Sequence, residues 1–256
     1  MRPNYLIGLD LGRARDYTAL CVAERREVGT GIKEPAPNTP RSDDDPRPIL
    51  RERMVGSYDV THLERLPLGT PYTAVPDRLQ LLIQGLTAVH QQRETASPGQ
   101  YGRLVETTLI VDQTGVGVAV VDVLRAAGLT PVAVTIHGGD ATTPVSSDEY
   151  RVPKRELAGV IQVLLQGRRL RIAEGLPQTA ALTEELRNFK AKISLSGHDS
   201  YGAGADWREG NHDDLVLAVA LACWYGESRP RPSHTYVSSY LDGPADDRSF
   251  PGLQTF

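Results

Sequence analysis

The chain has 256 residues, of which 40% are hydrophobic and 23% charged, and this composition is typical of a globular protein with a full core. The formal net charge of −4 argues against a generally basic protein that binds nucleic acid by overall attraction, although it leaves room for a local basic patch. No stretch approaches the roughly 20 apolar residues that cross a bilayer. The two cysteines, Cys21 and Cys223, lie in apolar runs typical of buried free thiols, so we expect a cytoplasmic protein without a membrane partner.

The first predicted elements form a β-hairpin. Residues 5–9 and 17–24 are runs of strand-forming residues, and residues 12–16 supply the turn between them. Residues 29–48 are rich in Gly, Pro and acidic residues and show no periodicity, which predicts a flexible insertion. Strand character then resumes over residues 53–61.

The middle of the chain alternates helices and strands. Apolar residues at helical spacing predict a helix over residues 73–92. Residues 108–111 and 131–136 are predicted strands that flank a helix over residues 115–127. A strand–helix–strand unit of this length implies a parallel pair of strands. Residues 138–151 are polar and predict a loop.

The last third is mainly helical by its apolar periodicity. We predict helices over residues 153–165, 178–190 and 212–225, a short edge strand over 170–172, and a strand or hairpin over 193–205. Residues 229–256 are rich in Pro, Ser, Asp and Gly and predict a loose tail. The sequence therefore predicts one α/β domain over residues 1–228, with a flexible insertion at 29–48.

Four acidic residues occupy positions that a mixed sheet would bring together. Asp10 ends the first predicted strand, Asp112 ends the strand at 108–111, and Asp213 and Asp214 begin the last helix. Functional sites of open α/β sheets form at the carboxyl ends of strands, so these carboxylates would converge if the two strands are neighbours. Converging carboxylates repel one another and need a cation, and hard oxygen ligands favour Mg²⁺ or Mn²⁺. Two such ions about 4 Å apart can activate water and neutralise a phosphate, which is the chemistry of phosphodiester hydrolysis.

Each of these acids also has a purely structural interpretation. Asp10 and Asp112 precede predicted turns, where Asp is common. Asp213 could be a helix N-cap favoured by the helix dipole. His212 could position a phosphate or a water, or could cap the helix. The order and spacing of the acids taken together favour the metal site.

Six segments of the chain resemble, in the same order, the nuclease domain of tailed-phage terminase large subunits. They are GLDLG at 8–12 followed by DYTA at 16–19, VDQTGVG at 111–117, VPKREL at 152–157, GRRLRI at 167–172, LTEELRNF at 182–189 and GNHDDLVLAVALA at 210–222. The resemblance covers residues 5–226, nearly the whole chain.

The resemblance implies an RNase H-like fold, in which a mixed sheet begins with an antiparallel hairpin, continues with parallel strands and is flanked by helices on both faces. It also implies a two-metal, Mg²⁺- or Mn²⁺-dependent endonuclease that cuts double-stranded DNA during genome packaging. By motif position, the catalytic metal ligands would be Asp10, Asp112 and Asp214, with Asp213 as a close supporting acid. Adjacent helix residues point about 100° apart, so either Asp213 or Asp214 could be the main ligand from the helix, with Asp214 preferred. A phage-encoded protein of this kind would act in the host cytoplasm, with a small terminase subunit and a portal as further partners.

The chain departs from the family in one respect. Large subunits of this family carry an ATPase domain before the nuclease, whereas this chain contains no GxxxxGK[ST] motif. We therefore expect either a separate nuclease whose packaging ATPase is another polypeptide, or a nuclease for some other kind of DNA cleavage. Basic residues near the resembling segments are candidates for DNA contacts. They are Lys154, Arg155, Arg168, Arg169, Lys190 and Lys192.

Three other functions are compatible with parts of the pattern. An actin- or sugar-kinase-like ATPase also places phosphate loops after strands, and ATP turnover without DNA cleavage would identify it. A RuvC-type junction resolvase shares the layout of the acids and would prefer branched DNA. A degenerate domain used only for protein docking would show neither activity.

Overall fold

The computed structural model describes residues 4–12, 16–36, 50–98, 105–195 and 213–228, with side chains of the fourth range described through Phe189. Within these residues the strands are β1 (Asn4–Asp10), β2 (Ala19–Pro35), β3 (Leu50–Arg65), β4 (Glu106–Asp112), β5 (Val132–His137), β6 (Thr143–Pro144), β7 (Glu149–Pro153) and β8 (Leu170–Ile172). The helices are α1 (Val75–Ala96), which follows a single 3₁₀ turn, α2 (Gly117–Ala126), α3 (Lys154–Gln166), α4 (Thr179–Leu195) and α5 (Asp214–Ser228).

The strands of the described residues form one eight-stranded sheet in the order β6-β7-β5-β4-β1-β2-β3-β8. β1 pairs antiparallel with β2 and parallel with β4, and the pairs β4–β5 and β5–β7 are also parallel. β8 lies at one edge, where it pairs parallel with β3, and β6 lies at the other. The predicted mixed sheet, with an antiparallel first hairpin and parallel later strands, is confirmed.

Helices cover both faces of this sheet, as predicted. One core cluster joins the sheet to α3, α4 and α5, and the other joins it to α1 and α2. β1 contributes to both, since Leu6 packs in the first cluster whereas Ile7 and Leu9 pack in the second. Successive side chains of a strand point to opposite faces, so a strand buried on both faces has the continuous apolar sequence seen here.

Helix α5 lies inside the molecule rather than on its surface. Its sequence is apolar on every side, and nearly all of its residues are buried. It contacts β1 on one side and the helices α3 and α4 on the other. Its close approach to the sheet requires Gly8, because a Cβ at that position would lie 1.8 Å from the carbonyl oxygen of Ala218. No helix in the described ranges combines the length and hydropathy needed to cross a membrane.

The described residues group into two compact units. The first comprises Met1–Arg26 and Gly56–Arg231 where described, and the second includes Glu27–Val55. The described part of the second unit is a two-stranded ribbon in which Thr30 Oγ1 donates to the carbonyl of Arg53 at 2.9 Å. Cross-strand polar contacts of this kind are typical of a ribbon exposed on both faces.

Three predicted segments differ from the structure. The insertion expected at 29–48 is strand up to Pro35, because its polar residues pair across the ribbon, and residues 37–49 lie outside the described ranges. The loop expected at 138–151 contains β6 and the start of β7. In β7, Tyr150 is buried and Arg151 exposed, but this alternation of buried and exposed residues is too short to be recognised in the sequence. The strand or hairpin expected at 193–205 is wrong at its start, since α4 continues to Leu195 and residues 196–205 are not described. The tail at 229–256 also lies outside the described ranges, and the domain bounds 1–228 stay a prediction.

Candidate metal centre

Two of the predicted site acids end neighbouring strands. Asp10 is the last residue of β1 and Asp112 the last residue of β4, and these strands are parallel with Leu9 paired to Val111. The backbones of the two aspartates therefore lie side by side at the strand spacing of about 4.8 Å. Each residue is only 8% exposed.

Both aspartates are on the face of the sheet that α5 covers. Gly8 contacts α5, and Asp10 follows it by two residues, so both lie on the same face. By the same alternation Asp112 shares the face of Ile110, which packs in the core cluster that contains α5.

The direction of α5 brings a third acid to this edge. A Cβ on Gly226, near the end of α5, would lie 2.8 Å from Leu6, whereas Gly8 meets Ala218. The helix thus runs antiparallel to β1. From Gly8 to Asp10 the strand advances about 6.7 Å, which is the length of four to five helix residues. Counting back by that number from Ala218 reaches the start of α5, which therefore lies level with Asp10. Asp214 is the first residue of that helix and is 6% exposed.

Hydrogen bonds hold the carboxylate of Asp112 in place. Its Oδ1 accepts from the backbone N–H of Thr114 at 2.8 Å and from the Thr114 hydroxyl. The same hydroxyl oxygen accepts from the N–H of Ile136 in β5 at 2.9 Å. This is an Asx-type turn tied to the neighbouring strand, so the carboxylate is oriented before any ligand arrives.

The turn that follows Asp10 is held in a similar way. The N–H of Gly12 donates to Thr18 Oγ1 at 3.1 Å, and its carbonyl accepts from the hydroxyl of Tyr72 at 2.7 Å. Residues 13–15 lie outside the described ranges. These two bonds fix the exit of β1, and with it the position of Asp10.

The two adjacent acids of α5 have different environments. The carbonyl of Asp213 accepts from Leu217 N at 2.9 Å, which makes Asp213 the N-cap and Asp214 the first helical residue. The carboxylate of Asp213 accepts from Lys154 Nζ at 2.9 Å, and the Lys154 ammonium also lies 5.5 Å from the centroid of the Phe189 ring. The Oδ2 of Asp214 lies 3.6 Å from Nη2 of Arg65.

A buried ion pair stands beside Asp214 that the sequence interpretation missed. Arg65, the last residue of β3, bonds to Glu185 Oε1, and its guanidinium lies 5.0 Å from the centroid of the Tyr17 ring. The other oxygen of Glu185 accepts from the N–H of Val216 at 2.9 Å. Burial raises the pKa of Glu185 to about 7. The hydrogen bond from the Val216 N–H and the charge of Arg65 lower this pKa, whereas the negative charges of Asp214 and Asp213 raise it further.

A signal for Glu185 was present in the sequence. Leu182, Leu186 and Phe189 form the apolar stripe of α4, and Glu185 lies three residues after Leu182 on the same face. A carboxylate on an apolar helix face has to find a partner inside the protein. The sequence around Arg65 has no comparable pattern that would predict its burial beside Glu185.

The basic residues predicted to contact DNA have varied surroundings. Lys154 is paired with Asp213, and Arg155 pairs with Asp140. Arg169 donates to both carboxylate oxygens of Glu227, at the opposite end of α5.

Glu227 is 13 positions after Asp214 in α5, so that end lies about 20 Å from the candidate centre. Arg168 is exposed and adopts a left-handed backbone with φ of 52°. The side chains of Lys190 and Lys192, and all of His212, lie outside the described ranges. The DNA contacts stay a prediction.

A divalent ion needs several oxygen ligands around one point. Among the described residues, no three His, Cys, Asp or Glu side chains are close enough together to hold a metal ion. The chemistry of the donors suits Mg²⁺ or Mn²⁺, since Asp10, Asp112 and Asp214 offer hard oxygens at one edge of the sheet. The carboxylate of Asp112 accepts hydrogen bonds from Thr114, and that of Asp214 lies near Arg65. An incoming ion would therefore compete with Thr114 and Arg65 for these carboxylates.

Comparisons with known proteins gave similarities only to solved structures. No family model matches the chain, and no curated protein sequence matches it. The chain is similar to the large terminase nuclease from thermophilic phage G20c, with 19% identity over 86% of this chain and 81% of that one, and a TM-score of 0.43. It is also similar to the Mn-soaked human cytomegalovirus terminase nuclease domain, with 13% identity over 86% and 82% of the two chains and a TM-score of 0.44. At these identities and TM-scores the similarities carry no functional argument, so function has to be inferred from the site.

Proposed function

We propose that the chain is a Mg²⁺- or Mn²⁺-dependent DNA endonuclease whose metal ligands are Asp10, Asp112 and Asp214, with Asp213 as a supporting acid. One arrangement supports this most directly. Because α5 runs antiparallel to β1, it starts where β1 and β4 end, and three buried carboxylates from three elements share one edge of the sheet. Carboxylates that lie near one another repel, and a divalent cation that draws them together would relieve that repulsion.

The protein's own groups have defined roles in this proposal. When bound, divalent ions would polarise the scissile phosphate and lower the pKa of the attacking water. Asp10 and Asp112 would hold those ions from strand ends whose exits are fixed by hydrogen bonds, which keeps the ligands oriented. The low exposure of these acids strengthens their attraction for a cation relative to the same groups in bulk water.

Asp214 is the better candidate of the two adjacent acids. Asp213 already binds the ammonium of Lys154, which offsets its charge and holds the N-cap in place. In this proposal the pair of Asp213 and Lys154 supports the start of α5, whereas Asp214 serves the ion.

The substrate proposed is double-stranded DNA, with genome packaging as the biological setting. The support is the ordered resemblance of six sequence segments to terminase nucleases, which ends in the HDDLVLAVALA segment at 212–222. A packaging ATPase, a small terminase subunit and a portal would then be the partners.

The test is cleavage of plasmid DNA in Mn²⁺ by Asp10→Asn and Asp112→Asn variants. Each change keeps the size of the side chain and removes its charge, so we expect normal thermal unfolding and cleavage lowered by at least about 100-fold. Asp122→Asn is the matched control, because that side chain is 72% exposed and lies on α2, which packs in the core cluster on the other face of the sheet, and it should cleave normally.

The same assay separates the two helix acids and the kind of substrate. Asp214→Asn should lose cleavage as Asp10→Asn does, whereas Asp213→Asn should keep a measurable part. Full activity of either Asp10→Asn or Asp112→Asn would contradict the proposed function. A strong preference for four-way junctions over linear duplex would identify a junction resolvase instead.

A further inference from the structure

The guanidinium of Arg65 lies between two acids that belong to different helices. It binds Glu185 of α4 and lies 3.6 Å from Oδ2 of Asp214, the first residue of α5. All three side chains are largely enclosed, with 16% exposure for Arg65, 6% for Glu185 and 8% for Asp214. Two buried carboxylates thus share one largely enclosed cation.

Glu185 is tied to the same helix by its second oxygen. That oxygen accepts the N–H of Val216 in the first turn of α5, one of the amides that a helix cannot satisfy internally. The Tyr17 ring lies against the guanidinium of Arg65, where its π face attracts the positive charge. Arg65 is therefore held by groups other than Asp214, and losing its contact with Asp214 would leave it bound.

We propose that Arg65 is the internal counter-cation of Asp214, and that a divalent ion displaces it while Glu185 retains it. This rests on the proposed function, since it requires that Asp214 binds the ion. Arg65 is a positioning residue here, because it acts on the ion only through the carboxylate of Asp214. In this proposal the guanidinium of Arg65 offsets part of the negative charge of Asp214 without metal, and its competition with the ion lowers the affinity of Asp214 for metal.

The competition predicts opposite effects for the two partners of the ion pair. Arg65→Gln removes the competing charge, so the ion should bind roughly tenfold more tightly. Glu185→Gln removes the acid that shares Arg65, so the guanidinium should turn fully to Asp214 and the ion should bind several-fold more weakly. A merely structural role would weaken binding in both variants or in neither.

The experiment is calorimetric titration of the full chain with Mn²⁺ at about pH 8, where the Glu185 carboxyl is mostly ionised, in the absence of DNA. The variants are Arg65→Gln, Glu185→Gln and the double variant. Arg93→Gln is the matched control, because Arg93 also forms an ion pair with a buried acid, Glu24, whose side chain is 2% exposed. Glu24 lies opposite Tyr5 in the sheet, near the start of β1 and away from the strand ends that carry the candidate site. We expect unchanged Mn²⁺ affinity in that control.

The double variant keeps the test decisive if Arg65→Gln fails to fold. It leaves no buried charge of the pair uncompensated, and it should bind Mn²⁺ more tightly than Glu185→Gln alone. Affinity unchanged or lowered on removal of Arg65, in either background, would overturn the inference. Absence of Mn²⁺ binding in the wild type, or binding unaffected by Asp10→Asn, would instead defeat the proposed function and this inference with it.

Discussion

Among single residues, Glu185 shows most clearly how burial sets chemistry at the sheet edge. It is 5% exposed, bonds to Arg65 and to the N–H of Val216, and has a pKa raised to about 7, mainly by burial. A carboxyl group that binds its proton more tightly in the folded than in the unfolded protein makes stability depend on pH.

The sign follows from the two pKa values of Glu185. Its pKa rises from 4.5 to about 7 on folding, so its stabilising effect is complete below about pH 4.5 and is lost as the pH rises through about 7. We therefore expect the wild type to lose on the order of 1 to 3 kcal/mol of unfolding free energy relative to Glu185→Gln between about pH 5 and about pH 8. Urea unfolding of both proteins across this range measures the difference, and a difference that stays constant with pH would contradict the prediction.

At the scale of elements, the packing of α5 on β1 decides where the candidate site forms. The carbonyl oxygen of Ala218 occupies the space that any side chain at position 8 would need. The helix can therefore lie against the strand only where the strand has glycine. This contact sets the level of Asp214 relative to Asp10.

Gly8→Ala should displace α5 and disturb the site together with the fold. The added methyl group would lie 1.8 Å from a backbone oxygen that cannot rotate away, so we expect a loss of about 3 kcal/mol in unfolding free energy. Mn²⁺ affinity should fall as well, because the helix carries Asp214. Chemical unfolding and Mn²⁺ titration measure the two effects.

Gly159→Ala is the matched control for this change. Gly159 lies within α3, and a Cβ there meets no atom within 4 Å. Alanine is favoured over glycine inside a helix, so this variant should gain roughly 0.5 to 1 kcal/mol. Equal stability of Gly8→Ala and the wild type would show that α5 does not rest on Gly8 as described.

At the scale of the whole molecule, the two described core clusters draw all their residues from the first compact unit. The described part of the ribbon, residues 27–36 and 50–55, contributes to neither cluster, and several of its apolar side chains, such as Ile32 at 56%, are exposed. Its pairing is maintained by local polar contacts such as that of Arg51 with Glu34.

Replacing residues 29–54 by Asn-Gly should therefore leave the first unit folded. Asn-Gly favours the tight turn that joins two antiparallel strands, so the shortened ribbon can close. We expect a thermal midpoint within a few degrees of the wild type and unchanged Mn²⁺ affinity. Loss of cooperative unfolding in the shortened chain would show that the ribbon is needed for the core.

Local sequence determined the type and order of most elements and the placement of Asp10 and Asp112 at strand ends. These features depend on side-chain periodicity and turn residues within a few positions, and the strand-end placement is confirmed. Their role as metal ligands stays a prediction. The sequence did not predict β7, because a strand of five residues with three buried positions carries too little periodicity.

Tertiary structure alone decided the environments of the adjacent acids Asp213 and Asp214. The groups that distinguish them are Lys154, 59 residues from Asp213, and Arg65, which binds a glutamate 120 residues away. It likewise decided that Arg169 binds Glu227, although a basic pair in the sequence was compatible with a DNA contact. Ion pairs form between whatever side chains the packing of helices on the sheet brings within a few ångströms, and no local pattern encodes that distance.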